Sequence, residues 1–152
     1  MAFKRSVENH LNRWKLSAAR KPLIIRGARQ VGKTTLIRDF ARTYAHTIVL
    51  NLEKPADRRY FDDFNDVHTI FEALFLAHNI SSSAASNTLL FIDEIQESPK
   101  AIQLLRYFYE EIPALHVISA GSLLEFAMQK VHSFPVGRVE FFALRPFSFQ
   151  EY

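Results

Sequence analysis

The stretch Gly27-Ala28-Arg29-Gln30-Val31-Gly32-Lys33-Thr34-Thr35 spaces two glycines, a lysine and two hydroxyls as G-x-x-x-x-G-K-T-T. That order suits the cradling of a chain of phosphates. Gly27 and Gly32 let the backbone wrap so that successive N–H groups point inward at phosphate oxygens. Lys33 can reach the β- and γ-phosphates of a nucleotide, and the Thr34 hydroxyl can bind Mg²⁺. The apolar run PLIIR precedes this loop, and LIRDFARTYA follows it at helical spacing. A helix starting there adds its unpaired N–H groups and the positive end of its dipole. All nine residues are candidate nucleotide ligands.

Three further groups carry chemistry. In Leu89-Leu90-Phe91-Ile92-Asp93-Glu94, four apolar residues lead into two carboxylates. Ligands of parallel sheets bind beyond the carboxyl ends of the strands. Asp93 is placed to join a Mg²⁺ shell, and Glu94 to polarise a water for attack on a γ-phosphate. In Val117-Ile118-Ser119-Ala120-Gly121-Ser122 a second apolar run ends in small polar residues. A hydroxyl there would stand between the carboxylate and the γ-phosphate, and sequence does not choose between Ser119 and Ser122. In Phe134-Pro135-Val136-Gly137-Arg138 an arginine precedes the fifth apolar run. It is expected near the nucleotide edge, where it would neutralise phosphoryl charge in cis or be offered to a neighbouring subunit. Arg145, beside Pro146, is a weaker candidate for the same work.

The elements that must position these residues alternate. Strands are expected at Leu23–Arg26, Thr47–Leu52, Thr88–Ile92, His116–Ser119 and Val139–Leu144. Helices are expected at Val7–Leu16, Lys33–Tyr44, Val67–Asn79 and Pro99–Glu111, the last opening on Ser98-Pro99, a cap followed by a first-turn proline. Ser81–Asn87 reads as a loop. Strands alternating with helices predict a parallel sheet covered on both faces, and the unbroken apolar runs agree.

Composition narrows the class. The chain has 152 residues, 48% hydrophobic and 23% charged, which fits one globular domain. It has no cysteine, which removes disulfides, thiolate metal sites and cysteine nucleophiles. No run approaches the roughly 20 apolar residues of a membrane span, and the expected location is the cytoplasm. Eleven Lys and Arg fall in residues 1–42 against Glu8 and Asp39 alone, an excess of nine positive charges in a chain whose net charge is +3. A basic surface near the loop suits phosphate-bearing ligands, whether nucleotide or nucleic acid. Neither H-E-x-x-H, G-x-S-x-G nor N-K-x-D occurs, which disfavours zinc proteolysis, serine hydrolysis and guanine recognition.

Taken in order, RKPLIIRGARQVGKTT, LLFIDEIQESP, VISAGSLLEF and FPVGRVEFFALRPFSFQEY resemble prokaryotic ATPases of the AAA+ superfamily whose cellular role is unknown. Members of that family carry an N-terminal ATPase domain, a helical lid and a C-terminal nuclease-like domain. The resemblance covers nearly the whole chain. It implies a three-layer α/β P-loop NTPase fold with a parallel five-stranded sheet in the additional-strand order 5-1-4-3-2. It implies Lys33 and Thr34 as phosphate and Mg²⁺ residues, Asp93 and Glu94 as the Walker B pair, and Ser122 or Ser119 as the sensor. Arg138 falls in the family's Gly-Arg element. Residues 1–152 are then one ATPase core, with an N-terminal helix in 1–20 and the nucleotide-binding part in 21–152. The core is expected to be truncated at its C-terminus, with the lid absent.

The expected function is binding of Mg²⁺–ATP and its hydrolysis to ADP and phosphate. An ATP-gated binding module without turnover is one alternative. The ATPase component of a nucleic-acid-processing protein is another. Self-association and nucleic acid are the candidate partners besides ATP, and no membrane is expected.

Overall fold

The computed structural model describes residues 2–26, 33–122 and 137–143, with side chains from Val7 onward and, in the second segment, from Thr35. Five strands, β1 (Leu23–Arg26), β2 (His46–Asn51), β3 (Thr88–Asp93), β4 (His116–Gly121) and β5 (Glu140–Ala143), form one sheet in the order β2-β3-β4-β1-β5. Every pairing is parallel. Read from the other edge this is the expected order 5-1-4-3-2. Helices α1 (Ala2–Leu16), α2 (Lys33–Ala41), α3 (Pro55–Asp62), α4 (Val67–Ala77) and α5 (Pro99–Glu111) cover it.

Strand alternation divides the core into two layers. Ile24, Ile48, Leu50, Leu90, Ile92 and Val117 face one side and pack on α3, α4 and α5 through Phe61, Ile70, Leu74, Leu105 and Phe108. Leu23, Ile25, Leu89, Phe91, Ile118 and Ala120 face the other and pack on Val7, Leu11 and Trp14 of α1 and Ile37 and Phe40 of α2. The central strands are apolar on successive residues because both faces are covered.

Most element boundaries fall close to expectation, and α5 spans the expected residues with the Ser98 hydroxyl accepting from the Ala101 N–H at 3.1 Å. The differences have local causes. α1 begins earlier, at Ala2, since no helix breaker precedes Val7. α2 ends at Ala41 instead of Tyr44, where N–H groups of Arg42, Thr43 and Tyr44 turn to carbonyls three residues back and the chain bends toward β2. Ser82–Asn87 coils into a short 3-10 turn within the expected loop. Helix α3 was not expected at all. It is short and strongly polar and buries only Phe61 fully, so few apolar residues mark it; Pro55 at its first turn is its clearest sequence signal.

At the amino edge of the sheet, His116 is buried among aromatic rings. Its Nδ1 lies 2.7 Å from the Tyr44 hydroxyl, and the Trp14 and Tyr44 rings meet it edge-on. The Lys15 ammonium sits over the Tyr44 ring, and Arg20 reaches the carbonyls of Lys15 and Pro113. Burial first, then the Arg20 and Lys15 charges, lower the imidazole pKa to about 4. Burial likewise pushes the Tyr44 pKa well above its ordinary value, so its hydroxyl keeps its proton. A depressed base is neutral in the fold and takes up a proton more readily when unfolded. His116 therefore supports the fold fully above about pH 6.5, and that support is lost as pH falls toward 4, on the order of 3 kcal/mol in all. Unfolding titrations from pH 7 to 4 should show this loss, and His116→Gln, which has no such proton to gain, should flatten it.

Candidate active site

The carboxyl edge of the sheet gathers the residues with chemistry. Asp93 ends β3 and lies beside Asn51, the last residue of β2. Along β3, Leu89 and Phe91 face α1 and α2. Asp93 continues that alternation and so projects to the side of α2, the helix that follows the glycine loop. The register makes Ile92 level with Ser119 and Ser119 level with Ile24. Asp93 is thus one step beyond Ile24, two strands away from β1, or about 10 Å laterally. Gly27 directly follows β1.

Residues Gly27, Ala28, Arg29, Gln30, Val31 and Gly32 lie outside the described residues, as do the side chains of Lys33 and Thr34. The backbone of Lys33 and Thr34 forms the first turn of α2, and Thr35 is exposed. Strand β1 and helix α2 therefore flank Gly27–Gly32 in the order that phosphate binding at a helix N-terminus requires.

Glu94 adopts a left-handed backbone, φ 53° and ψ 48°. Its N–H donates to Asp93 Oδ1 at 2.9 Å, and its Oε1 accepts from Gln96 Nε2 at 2.7 Å. Asn79 is the other non-glycine residue with positive φ among those described. It follows α4, at a helix end where asparagine commonly takes that conformation. Glutamate has no such local reason. Strain of this kind collects at functional sites, and here it turns the chain sharply from β3 into the 3-10 turn Ile95–Glu97.

The two serines separate. Ser119 is fully buried, on the face that Val117 shares with α3–α5, and its hydroxyl makes a long bond of 3.5 Å to the Leu23 carbonyl. Ser122 follows β4, has the parity of Ile118 and Ala120, and is half-buried. Since Arg26 pairs with Gly121, Ser122 stands one residue past the last paired level of β1 and β4.

Arg138 does not lie at the nucleotide edge. Glu140 pairs with Leu23 at the start of β1, and Arg138 precedes it in the turn that enters β5 at the amino edge. In a parallel sheet the residue before a strand stands at the edge opposite the ligand. Its Nε donates to Glu110 Oε2 at 2.8 Å, near the end of α5. That hydrogen bond, with the neighbouring Arg106, holds the Glu110 carboxyl below its usual pKa. Arg145 lies outside the described residues.

Two polar residues at this edge escaped sequence reasoning. Asn51 stands beside Asp93, takes the Glu53 N–H on its side chain and gives its own N–H to Asp57. Gln96 holds Glu94. A polar residue ending an apolar strand was the available signal for Asn51; Gln96 had none, because its partner is fixed by the turn.

The family comparison decides what this edge belongs to. A family model described as "AAA domain" matches residues 19–152. The chain belongs to that AAA family. Like other AAA domains it is an ATP-binding module, and the described sheet has the strand order of an AAA+ P-loop NTPase. Among solved structures, the Aeropyrum pernix Orc1 protein in complex with DNA is similar at 16% identity and a TM-score of 0.56, covering 99% of this chain and 46% of that one. At this identity the likeness concerns the fold, and this AAA domain spans less than half of that chain. No curated protein matches. Among the described residues, no helix is long and apolar enough to cross a membrane.

The left-handed turn generates a separable expectation. The conformation costs a non-glycine residue roughly 1–2 kcal/mol, whereas glycine returns only about 0.5–1 kcal/mol as chain entropy. Glu94→Gly should therefore unfold no earlier than the parent in a thermal scan, and Glu94→Val, β-branched, should unfold earlier. The reverse order would mean that the side-chain bonds outweigh the backbone.

Proposed function

We propose that this AAA domain binds Mg²⁺–ATP at the β1–α2 loop and hydrolyses it to ADP and phosphate. One observation carries the reading: Asp93 ends a buried strand two strands from β1, on the side of α2, and Glu94 follows it directly. Gly27–Thr35 would hold the phosphates and Lys33 the γ-phosphate. Thr34 and Asp93 would hold Mg²⁺. No cluster of three or more His, Cys, Asp or Glu suited to a metal occurs among the described residues. A single carboxylate and a hydroxyl agree with that, because Mg²⁺ in such sites keeps waters and substrate phosphates as its other ligands. When bound, the ion supplies positive charge to the β- and γ-phosphate oxygens. Glu94 would accept a proton from the attacking water.

Parity and level favour Ser122 over Ser119 as the hydroxyl facing the γ-phosphate. The place of Arg138 at the far edge suits a role toward a neighbouring copy over one in cis. A cytoplasmic setting fits the cysteine-free composition.

Calorimetry and turnover on two variants test the reading. Lys33→Ala should abolish ATP affinity. Glu94→Gln should keep affinity and lose about 100-fold or more in turnover, the usual worth of a general base. Turnover unchanged in Glu94→Gln would leave an ATP-gated binding module as the better account.

Nucleic acid as a partner is a second reading, favoured by the positive excess in residues 1–42. The same fold also occurs in a protein described in complex with DNA. Contact through phosphates predicts DNA affinity that falls steeply as salt rises; binding insensitive to salt would refute that mode.

A further inference from the structure

Gln96 lies in the 3-10 turn just past Glu94, and its Nε2 donates to Glu94 Oε1 at 2.7 Å. A carboxylate only accepts, so this bond fixes which way the amide points. Its carbonyl oxygen, Oε1, is then directed elsewhere. That oxygen is buried and has no hydrogen-bond partner among the described residues. A buried acceptor without a donor is costly and uncommon, and it calls for a partner such as an ordered water, an ion or a ligand.

The turn itself does not need this side chain. The N–H groups of Glu97 and Ser98 bond to the Glu94 and Ile95 carbonyls at 3.1 and 3.0 Å. Ile95 is fully buried, and Ser98 caps α5. What Gln96 adds is restraint on the Glu94 carboxylate and a second acceptor next to it.

We infer that Gln96 is a positioning residue for the attacking water, an inference that rests on the reading of Glu94 as general base. The missing donor is the water itself. It gives one hydrogen to the Glu94 carboxylate and the other to Gln96 Oε1, which aims an oxygen lone pair at the γ-phosphorus. As the water oxygen bonds to phosphorus, the bond to the β,γ-bridging oxygen breaks and its electron pair leaves with ADP. One proton passes to Glu94, and the other stays on the inorganic phosphate formed. Gln96 remains unchanged and keeps the Glu94 carboxylate oriented through the amide bond.

The test is steady-state ATP hydrolysis with Mg²⁺ on the full chain, beside ATP affinity by calorimetry and thermal unfolding. The variants are Gln96→Leu, Gln96→Glu, Glu94→Gln and Gln96→Leu combined with Glu94→Gln. The expected result is a kcat lowered by roughly 10- to 100-fold in both Gln96 variants, the scale of a misoriented reactant. ATP affinity and unfolding temperature should stay near the parent's. The combined variant should be no slower than Glu94→Gln, because Gln96 acts through the same water. If Glu94→Gln collapses turnover and Gln96→Leu does not, the inference is overturned and the hydrolase reading survives. Loss of affinity or stability in step with kcat, or losses that multiply in the combined variant, would make Gln96 structural and overturn it too. Absent turnover in the parent, or full turnover in Glu94→Gln, would overturn the hydrolase reading and the inference together.

Discussion

The register of β3 is the constraint on which the rest of this fold depends. Residues Thr88–Ile92 are fully buried, and the strand is hydrogen-bonded on one side to β2 and on the other to β4. It cannot slip by one residue without sending Phe91 and Leu90 to each other's layer. Its last residue is Asp93, so the same register that fills both cores also fixes the face and level of the candidate metal carboxylate. Burying each large apolar side chain of such a strand is worth about 1.5–3 kcal/mol. Several together exceed the roughly 1–2 kcal/mol of a left-handed glutamate. The strand can therefore hold Glu94 in a backbone shape that glutamate would not choose.

The two edges of the sheet divide the labour. The carboxyl edge carries Asn51, Asp93, Glu94, Gln96 and Ser122, none of them deep in the core. The amino edge carries His116, Tyr44, Trp14 and Arg20, knitted by ring contacts and backbone carbonyls. Trp14 bonds the Lys21 carbonyl just before β1, which ties α1 to the strand that leads into the glycine loop. Arg138 and Glu110 belong to this supporting edge. The left-handed Glu94 and the half-buried polar groups lie on one side, and the aromatic packing on the other.

Polar bonds at the top of β2 follow the same plan. Asp57 takes the Asn51 N–H and Arg58 donates to the Leu52 carbonyl, so the short polar helix α3 closes the end of an edge strand. α3 contributes little apolar surface beyond Phe61. Its service is to satisfy backbone groups beside Asp93 that would otherwise face the site.

The sequence by itself determined the strand–loop–helix order around Gly27–Thr35, the five strands, the parallel two-sided sheet and the carboxylate pair. These are readable because glycine, lysine, hydroxyl and apolar spacing act locally, through backbone freedom, charge and burial. Helix α3 was invisible since its polar residues serve backbone groups, not a core. The choice between Ser119 and Ser122 was open in one dimension; it is narrowed by the face each serine takes and by its level against β1, which exist only once β1 and β4 pair. Arg138 shows the converse. Nearness in sequence to a strand suggested nearness to the nucleotide, but parallel pairing sends the start of a strand to the opposite edge. The bond between Gln96 and Glu94 is likewise a product of tertiary structure. It forms because a buried strand holds Glu94 left-handed, and no residue pattern records a turn that the surrounding core imposes.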